Sequence, residues 1–251
     1  MSIPKLLGKK PPKLDARTFK LERYLETANI PKPPDAVDFG AKCLPWPMFK
    51  NDTVGDCTCA SAGHLVKAWT TYAGNPFTAT DRQVLNMYSA ISGYDQRTGA
   101  NDDGAYMLDV LRYWRRTGLA DHRITAYMQF KLVGWNLKHT IWLFGGAYLG
   151  LNLPLTAIEQ IGKYWGVPEG GPVGNGAPGT WGGHAVAATQ YDKSGVTIVT
   201  WGTTQRVTWE FLKVYCDEAY AILSPDWVSS GKVSPSQFNY QTLLNDLRLL
   251  G

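Results

Sequence analysis

Four cysteines in 251 residues, Cys43, Cys57, Cys59 and Cys216, are too few to staple a chain of this size, and their spacing defines no pairing. Missing too is any apolar run of bilayer-spanning length. The most apolar stretch, IWLFGGAYLGLNLPL over 141–155, is broken by glycines and a proline and falls short of the ~20 residues a membrane helix needs. The opening MSIPKLLGKKPPKLD has no apolar core of signal-peptide length. These absences predict a cytoplasmic protein with reduced thiols and no membrane partner. Charge is scarce as well. A net +4, with no basic run beside interleaved aromatics, argues against a nucleic-acid partner. No repeat is visible, and the glycine-rich PEGGPVGNGAPG lacks the GK[ST] of a phosphate loop, so it reads as a flap. Cys57, Cys59 and His64 are close in sequence, yet on a helix positions 57 and 59 point about 200° apart. No metal and no cofactor are expected.

What is present is a globular composition, 44% hydrophobic and 18% charged, with ten Trp and thirteen Tyr. Residues 1–36 are punctuated by prolines and read as an extended, exposed arm with one short helix over 18–27. Helical patterns follow over 57–73, from Thr80-Asp81 to Ser89, over 105–117 and over 136–143. Beyond 147 the period falls towards two, in AYLGLNL, HAVAATQYD, VTIVTWG and AYAILSP. Helices first and strands later predict an α+β fold with a helical lobe, about 50–135, and a sheet lobe, about 136–224. Residues 225–251 form a tail ending in the amphipathic LLNDLRLL.

A thiol is a useful nucleophile at neutral pH only where its thiolate is stabilised, by a helix N-terminus or a neighbouring imidazolium. Cys57 sits at such a helix start in NDTVGDCTCASAGH, behind a glycine that permits a tight turn. His184 lies far downstream in GGHAVAA, where a strand begins. His64 reads as a core or groove histidine, and Cys59 as a small core residue.

These segments resemble the papain/cathepsin family of cysteine peptidases across residues 36–224. PDAVDF resembles the family's mature start, CTCASA its nucleophile helix, TDRQVLNMY its second helix and RTGANDDGAYM its glycine-rich rim. GGHAVAATQYD resembles the histidine strand, and VTWGT the strand after it. The resemblance implies a two-lobed papain-like fold, with the cleft between a helical lobe and an antiparallel sheet or barrel lobe. It implies a cysteine hydrolase that cleaves amide bonds, in a peptide or the peptide of a cell wall, through a thioester. Cys57 would be the nucleophile and His184 its base. Asn51, six residues before Cys57, would supply an oxyanion donor, and Trp201 would cover the His184 ring. Gly183 and Gly104 would line the cleft.

Several departures bear on activity. The family's histidine-orienting asparagine is Val199 here, so Thr200 or a carbonyl would have to serve. Asn51 is one methylene shorter than the family's glutamine. Asp102 and Asp103 stand at the rim, where they would favour basic substrates or cap the following helix. Asp56 would cap the nucleophile helix while opposing a thiolate. The family's long inhibitory prosegment has no counterpart in the 36-residue arm. An alternative follows: a catalytically silent papain-fold module that docks, through 1–36 and 225–251, into a larger assembly such as a virus or phage particle. An acyltransferase would share the first half-reaction.

Overall fold

A computed structural model describes residues 6–22 and 31–228, together with Ser234, Ser236 and Asn245. Its elements run β1 (Phe19–Lys20), β2 (Val37–Asp38), α1 (Cys57–Tyr72), α2 (Asp81–Ser92), α3 (Met107–Arg116), β3 (Ala126–Gln129), α4 (Gly134–Phe144) and β4 (Ala147–Leu153). There follow β5 (Tyr164–Trp165), β6 (Gly182–Tyr191), β7 (Gly195–Thr200), β8 (Thr203–Thr208), α5 (Trp209–Tyr215) and β9 (Cys216–Leu223). Much of the helix expected over 18–27, and the LLNDLRLL stripe apart from Asn245, lie outside the described residues. Where that helix was to begin, Phe19–Lys20 instead pair in parallel with β3.

The strands form one sheet in the order β1-β3-β9-β4-β6-β7-β8-β5, with β2 also on β6. Among the described residues this sheet is open, not a barrel, because its two ends, β1 and β5, do not pair with each other. Most pairings are antiparallel, and β1–β3 and β5–β8 are parallel.

Alternation along β6 divides the interior in two. Val186 and Ala188 face a core shared with α4 and α5, whereas Ala185 and Ala187 face the core built by α1, α2 and α3. Helix α1 is buried along nearly its whole length. Its first turns, CTCASAG, carry only small side chains, so the helix backbone can lie close on the sheet. A Cβ at Gly63 would come within 2.8 Å of the Phe49 ring. Further along, Trp69 stacks on Trp114 at 5.6 Å and donates to the Phe144 carbonyl. Helix α2 starts with a capping box between Thr80 and Gln83 and stops at left-handed Gly93. In α3, Met107, Val110, Leu111 and Trp114 form the buried stripe that the helical period predicts.

Strands β7 and β8 are joined by a two-residue turn, since Thr200 pairs with Thr203. Trp201 and Gly202 both have positive φ, 45° and 68°, the geometry favoured where strands twist into a hairpin. A tryptophan in that region stores roughly 1–3 kcal/mol of strain. Packing against His184, Trp181 and Trp165 holds it there.

His64 is buried within α1, with Nε2 2.8 Å from the Pro47 carbonyl, and burial holds its pKa down to about 4. Between the ordinary imidazole value and pH 4 the unfolded chain therefore takes up a proton that the folded chain refuses. Stability should fall as pH drops through this window, by roughly 3 kcal/mol from this group alone. Urea midpoints of the native protein and His64→Gln, measured across pH 4–7, should converge towards acid. Parallel curves would contradict this assignment.

Candidate functional site

The cleft is built where α1 meets β6. Cys57 opens α1, and its Sγ accepts a hydrogen bond from the Ala185 backbone N–H at 3.4 Å. One turn later on the same helical face, Ser61 Oγ donates to the Ala185 carbonyl at 2.8 Å. Helix α1 thus holds both the N–H and the carbonyl of the residue that follows His184. Tyr148 adds a third tie from β4, donating to the Thr58 carbonyl at 2.8 Å.

His184 is fully buried. Its Nε2 lies 2.6 Å from Thr200 Oγ1, and its ring is stacked on Trp201 at 4.3 Å with planes 16° apart. Alternation explains why Thr200 and not Val199 meets the ring. Val199 faces the helical core on the opposite side of β7, while Thr200 shares the face of His184.

Asn51 is buried at 2% exposure, and its Nδ2 donates to the Val54 carbonyl at 3.2 Å. It also faces Asp56, whose carboxyl burial pushes well above the ordinary carboxylate range. Asp56 precedes Cys57 but makes no side-chain cap. In the conformation described, the Asn51 amide is therefore engaged by its own loop. That loop turns tightly, with Phe49 and Lys50 both at positive φ.

Asp102 neither caps α3 nor stands free at the rim. The N-cap of α3 is Tyr106, without a side-chain bond. Both Asp102 oxygens accept from the Gly55 N–H at 3.0 Å, and Oδ1 also accepts from Tyr88 at 2.7 Å. The Tyr88 hydroxyl in turn accepts from Gly104 N–H at 2.9 Å. Asp102 thereby braces the turn leading into Cys57 against the rim glycine. Asp103 is exposed.

Sequence reasoning missed the occupant of the cleft. The arm, expected to be exposed, runs through it. The Leu6 carbonyl accepts from Trp201 Nε1 at 3.2 Å, and the Gly8 N–H faces the Cys57 sulfur. Lys9 N–H donates to the Gly183 carbonyl at 3.1 Å. Ala105 N–H donates to Gly8 and Lys10 N–H to Ala105, a parallel bridge centred on Lys9. Glycines make the fit possible. A Cβ on Gly8 would fall 1.7 Å from the Gly55 oxygen, one on Gly104 2.1 Å from the Gly8 oxygen, and one on Gly183 2.2 Å from the Lys9 oxygen. Under this cover Cys57 is 1% exposed, and burial pushes its thiol up to about 12 despite the N–H groups of Ala185 and Gly8. No side chain of the arm signalled this contact. The only clue was the clash-free combination of Gly8, Gly55 and Gly104, which sequence spacing does not reveal.

The cysteines are all free thiols. His122 pairs with Asp226 at 2.9 Å, and His139 with backbone carbonyls of Trp135 and Pro31. Among the described residues no group of three His, Cys, Asp or Glu could hold a metal ion, and no helix is long and apolar enough to cross a membrane.

No family model matches the sequence, and no curated protein matches it. Solved structures do. Xylellain, a cysteine protease from Xylella fastidiosa, superposes with a TM-score of 0.65 at 14% identity, covering 89% of this chain and 98% of that one. A cysteine protease of Carica candamarcensis gives 0.53 at 15% identity, over 76% and 99%. The cysteine protease and lectin-like domains of a surface layer associated protein of Clostridium difficile give 0.60 at 11%, over 88% and 57%. The chain has the fold of the papain-like cysteine proteases.

Proposed function

We propose that this chain is a cysteine hydrolase that cleaves peptide amide bonds, described here in a closed form that its own arm maintains. The observation that supports the reading is the contact of the Cys57 sulfur with the residue that follows His184. The thiol at the start of α1 lies against Ala185, the residue after a histidine whose Nε2 is held by Thr200 and whose ring is covered by Trp201. With Nε2 so engaged, Nδ1 is the nitrogen that would exchange a proton with the thiol. The sulfur would attack the substrate carbonyl carbon, and the carbonyl electron pair would move to oxygen. Collapse of that adduct would expel the amine, which takes the proton from His184, and leave a thioester. Water, giving its proton to His184, would then release the acid and restore the thiol. The first N–H groups of α1 have no partner within the helix and suit the developing oxyanion. Asn51 would join them only after letting go of Val54.

The closed form cannot run this cycle. A buried thiol pushed up to about 12 is almost wholly protonated at neutral pH, and the Gly8 backbone stands where a substrate would lie. Displacing the arm would return water to the sulfur and remove the main cause of the upward shift.

The second reading is a silent papain-fold module in which the arm is a permanent plug. It draws support from the depth of the arm contacts and from the engaged Asn51 amide. Residues 225–251 contribute little to either reading, because most of them lie outside the described residues.

Gly8→Ala separates the two. The added methyl cannot fit beside Gly55, so the arm should lift. Alkylation of Cys57 by iodoacetamide at pH 7, followed by peptide mass spectrometry, should accelerate about tenfold or more, the factor for ~1.4 kcal/mol of easier opening. Cys59, fully buried, should stay unmodified. In the Gly8→Ala background, His184→Ala should slow both alkylation and hydrolysis of denatured casein by about 10²-fold or more. Slow labelling that ignores His184, with no casein cleavage, would establish the silent module.

Thr200→Val, also in that background, tests the orienting contact. It leaves a buried imidazole nitrogen unpaired at a cost of roughly 1–3 kcal/mol. Casein hydrolysis should drop by at least about tenfold, and Thr200→Ser should restore most of it. Equal rates in all three would show that the hydroxyl does not position His184.

A further inference from the structure

The side chain of Lys9 is buried completely, an unusual place for an ammonium on an N-terminal arm. It enters a pocket between the lobes. Its Nζ lies 3.0 Å from Asp217 Oδ2 and 3.3 Å from the Lys10 carbonyl. The pocket exists because position 150 is glycine. A Cβ there would lie 2.2 Å from Lys9 Cε and 2.8 Å from Met107 Sδ. At its far end Glu218 is 3% exposed, and its Oε1 accepts from the Tyr220 hydroxyl at 2.6 Å.

A defect in the sheet aims the acids inward. Opposite β9, Gly150 pairs with Glu218 and Leu151 with Cys216, so the register shifts and Asp217 is the extra residue. Such bulges re-aim a side chain, and they collect beside active sites. Two carboxylates thus share one end of a narrow slot whose walls are a methionine and a glycine. Glu218 Oε2 and Asp217 Oδ1 are buried oxygens without a hydrogen-bond partner among the described residues. A lysine meets only part of this acceptor capacity. Burial pushes the Glu218 carboxyl up, with Tyr220 and the Lys9 charge pulling it back, as expected of an acid that needs a cation nearby.

The slot lies beside the thiol. Gly8 stands over Cys57, and Lys9 is the next residue, fixed by backbone bonds to Gly183 and Ala105 on the two walls of the cleft. A peptide in the same groove would meet the slot at an equivalent distance from its scissile bond.

We propose that this slot is a cation-selecting subsite: Lys9 fills it in the closed form, and a Lys or Arg side chain of the peptide substrate, next to the residue at Cys57, fills it in the open form. The proposal rests on the hydrolase reading of the cleft and gives that reading a substrate class, peptides with a basic residue adjacent to the cleavage point. It also makes Lys9 a competitor, so substrates able to displace the arm are those that replace its ammonium. Asp217 and Glu218 are the specificity-determining residues.

Binding to the full-length Cys57→Ala, Gly8→Ala, Lys9→Ala protein, in which the arm is lifted, tests this without turnover. The probes are N-acetylated, C-amidated Leu-X-Gly-Gly peptides with X as Lys, Arg, norleucine or Glu, titrated by calorimetry. Lys and Arg peptides should bind at least about tenfold tighter than norleucine, a factor worth ~1.4 kcal/mol, and Glu should not bind. Asp217→Asn combined with Glu218→Gln should erase the advantage of Lys over norleucine. Gly150→Ala, which fills the slot without changing its charge, should weaken both. Equal binding of Lys and norleucine, a preference that survives the loss of both carboxylates, or no binding by any peptide would overturn the subsite. A basic preference combined with an unreactive Cys57 would instead sink the hydrolase reading and leave a peptide-binding groove. A reactive, His184-dependent Cys57 without a basic preference would sink the subsite alone.

Discussion

The structure depends on one grip. Helix α1 holds the backbone of Ala185 at both its polar groups, Cys57 Sγ on its N–H and Ser61 Oγ on its carbonyl. Two contacts a helical turn apart fix both the height and the rotation of the helix against β6. The next residue towards the strand's start is His184, so the same grip sets where the thiol stands relative to the imidazole. It demands small residues at the seam. Ala185 and Ala187 turn their side chains to the helical core, and a larger side chain at either place would push helix and strand apart.

Around that seam, polar groups are fixed by others outside the Cys57–His184 pair. Thr200 holds His184, Trp201 covers it, and Asp102 ties the turn before Cys57 to the glycine rim. The turn at Trp201 belongs to the same arrangement, since its positive φ accompanies an indole stacked on the ring. What is fixed in this way is geometry, and ionisation is another matter. A helix start favours a thiolate, but burial under Gly8 outweighs it and the thiol goes up to about 12. Geometry and ionisation are thus set by different contacts, and in the proposed reading residues 6–10 decide the second.

The elements that a sequence reveals best are those encoded by neighbours. Helix α2 carries its capping box and its terminal glycine within 80–93, and α1 begins at the expected cysteine. The strand pattern of 182–191 is equally local. Strand β8, TTQRVT, shows no strand pattern because five of its six residues are polar, and α5 none because seven residues show too little of a helical period. Asp102 illustrates a subtler loss. Its charge at the rim suggested substrate contact or capping, yet its partners Gly55 and Tyr88 come from two other segments that only the tertiary structure brings together. The arm is the extreme case. Backbone hydrogen bonds carry it, and those leave no mark on the identities of the residues that make them. The acidic slot needed a bulge at Gly150 and Leu151, a register fact absent from any single strand. The rim carboxylates Asp102 and Asp103 suggest a basic preference from sequence, and the proposed slot would add Asp217 and Glu218 to it.

The pH–rate profile of Cys57 alkylation, recorded with the arm lifted by Gly8→Ala, bears most directly on the pairing of Cys57 with His184. An imidazole-paired thiol should react with an inflection well below the ordinary thiol range near 8.5, and His184→Ala should return that inflection upward. A single inflection at or above 8.5, unchanged by loss of His184, would mean that the two side chains share a cleft without sharing a proton.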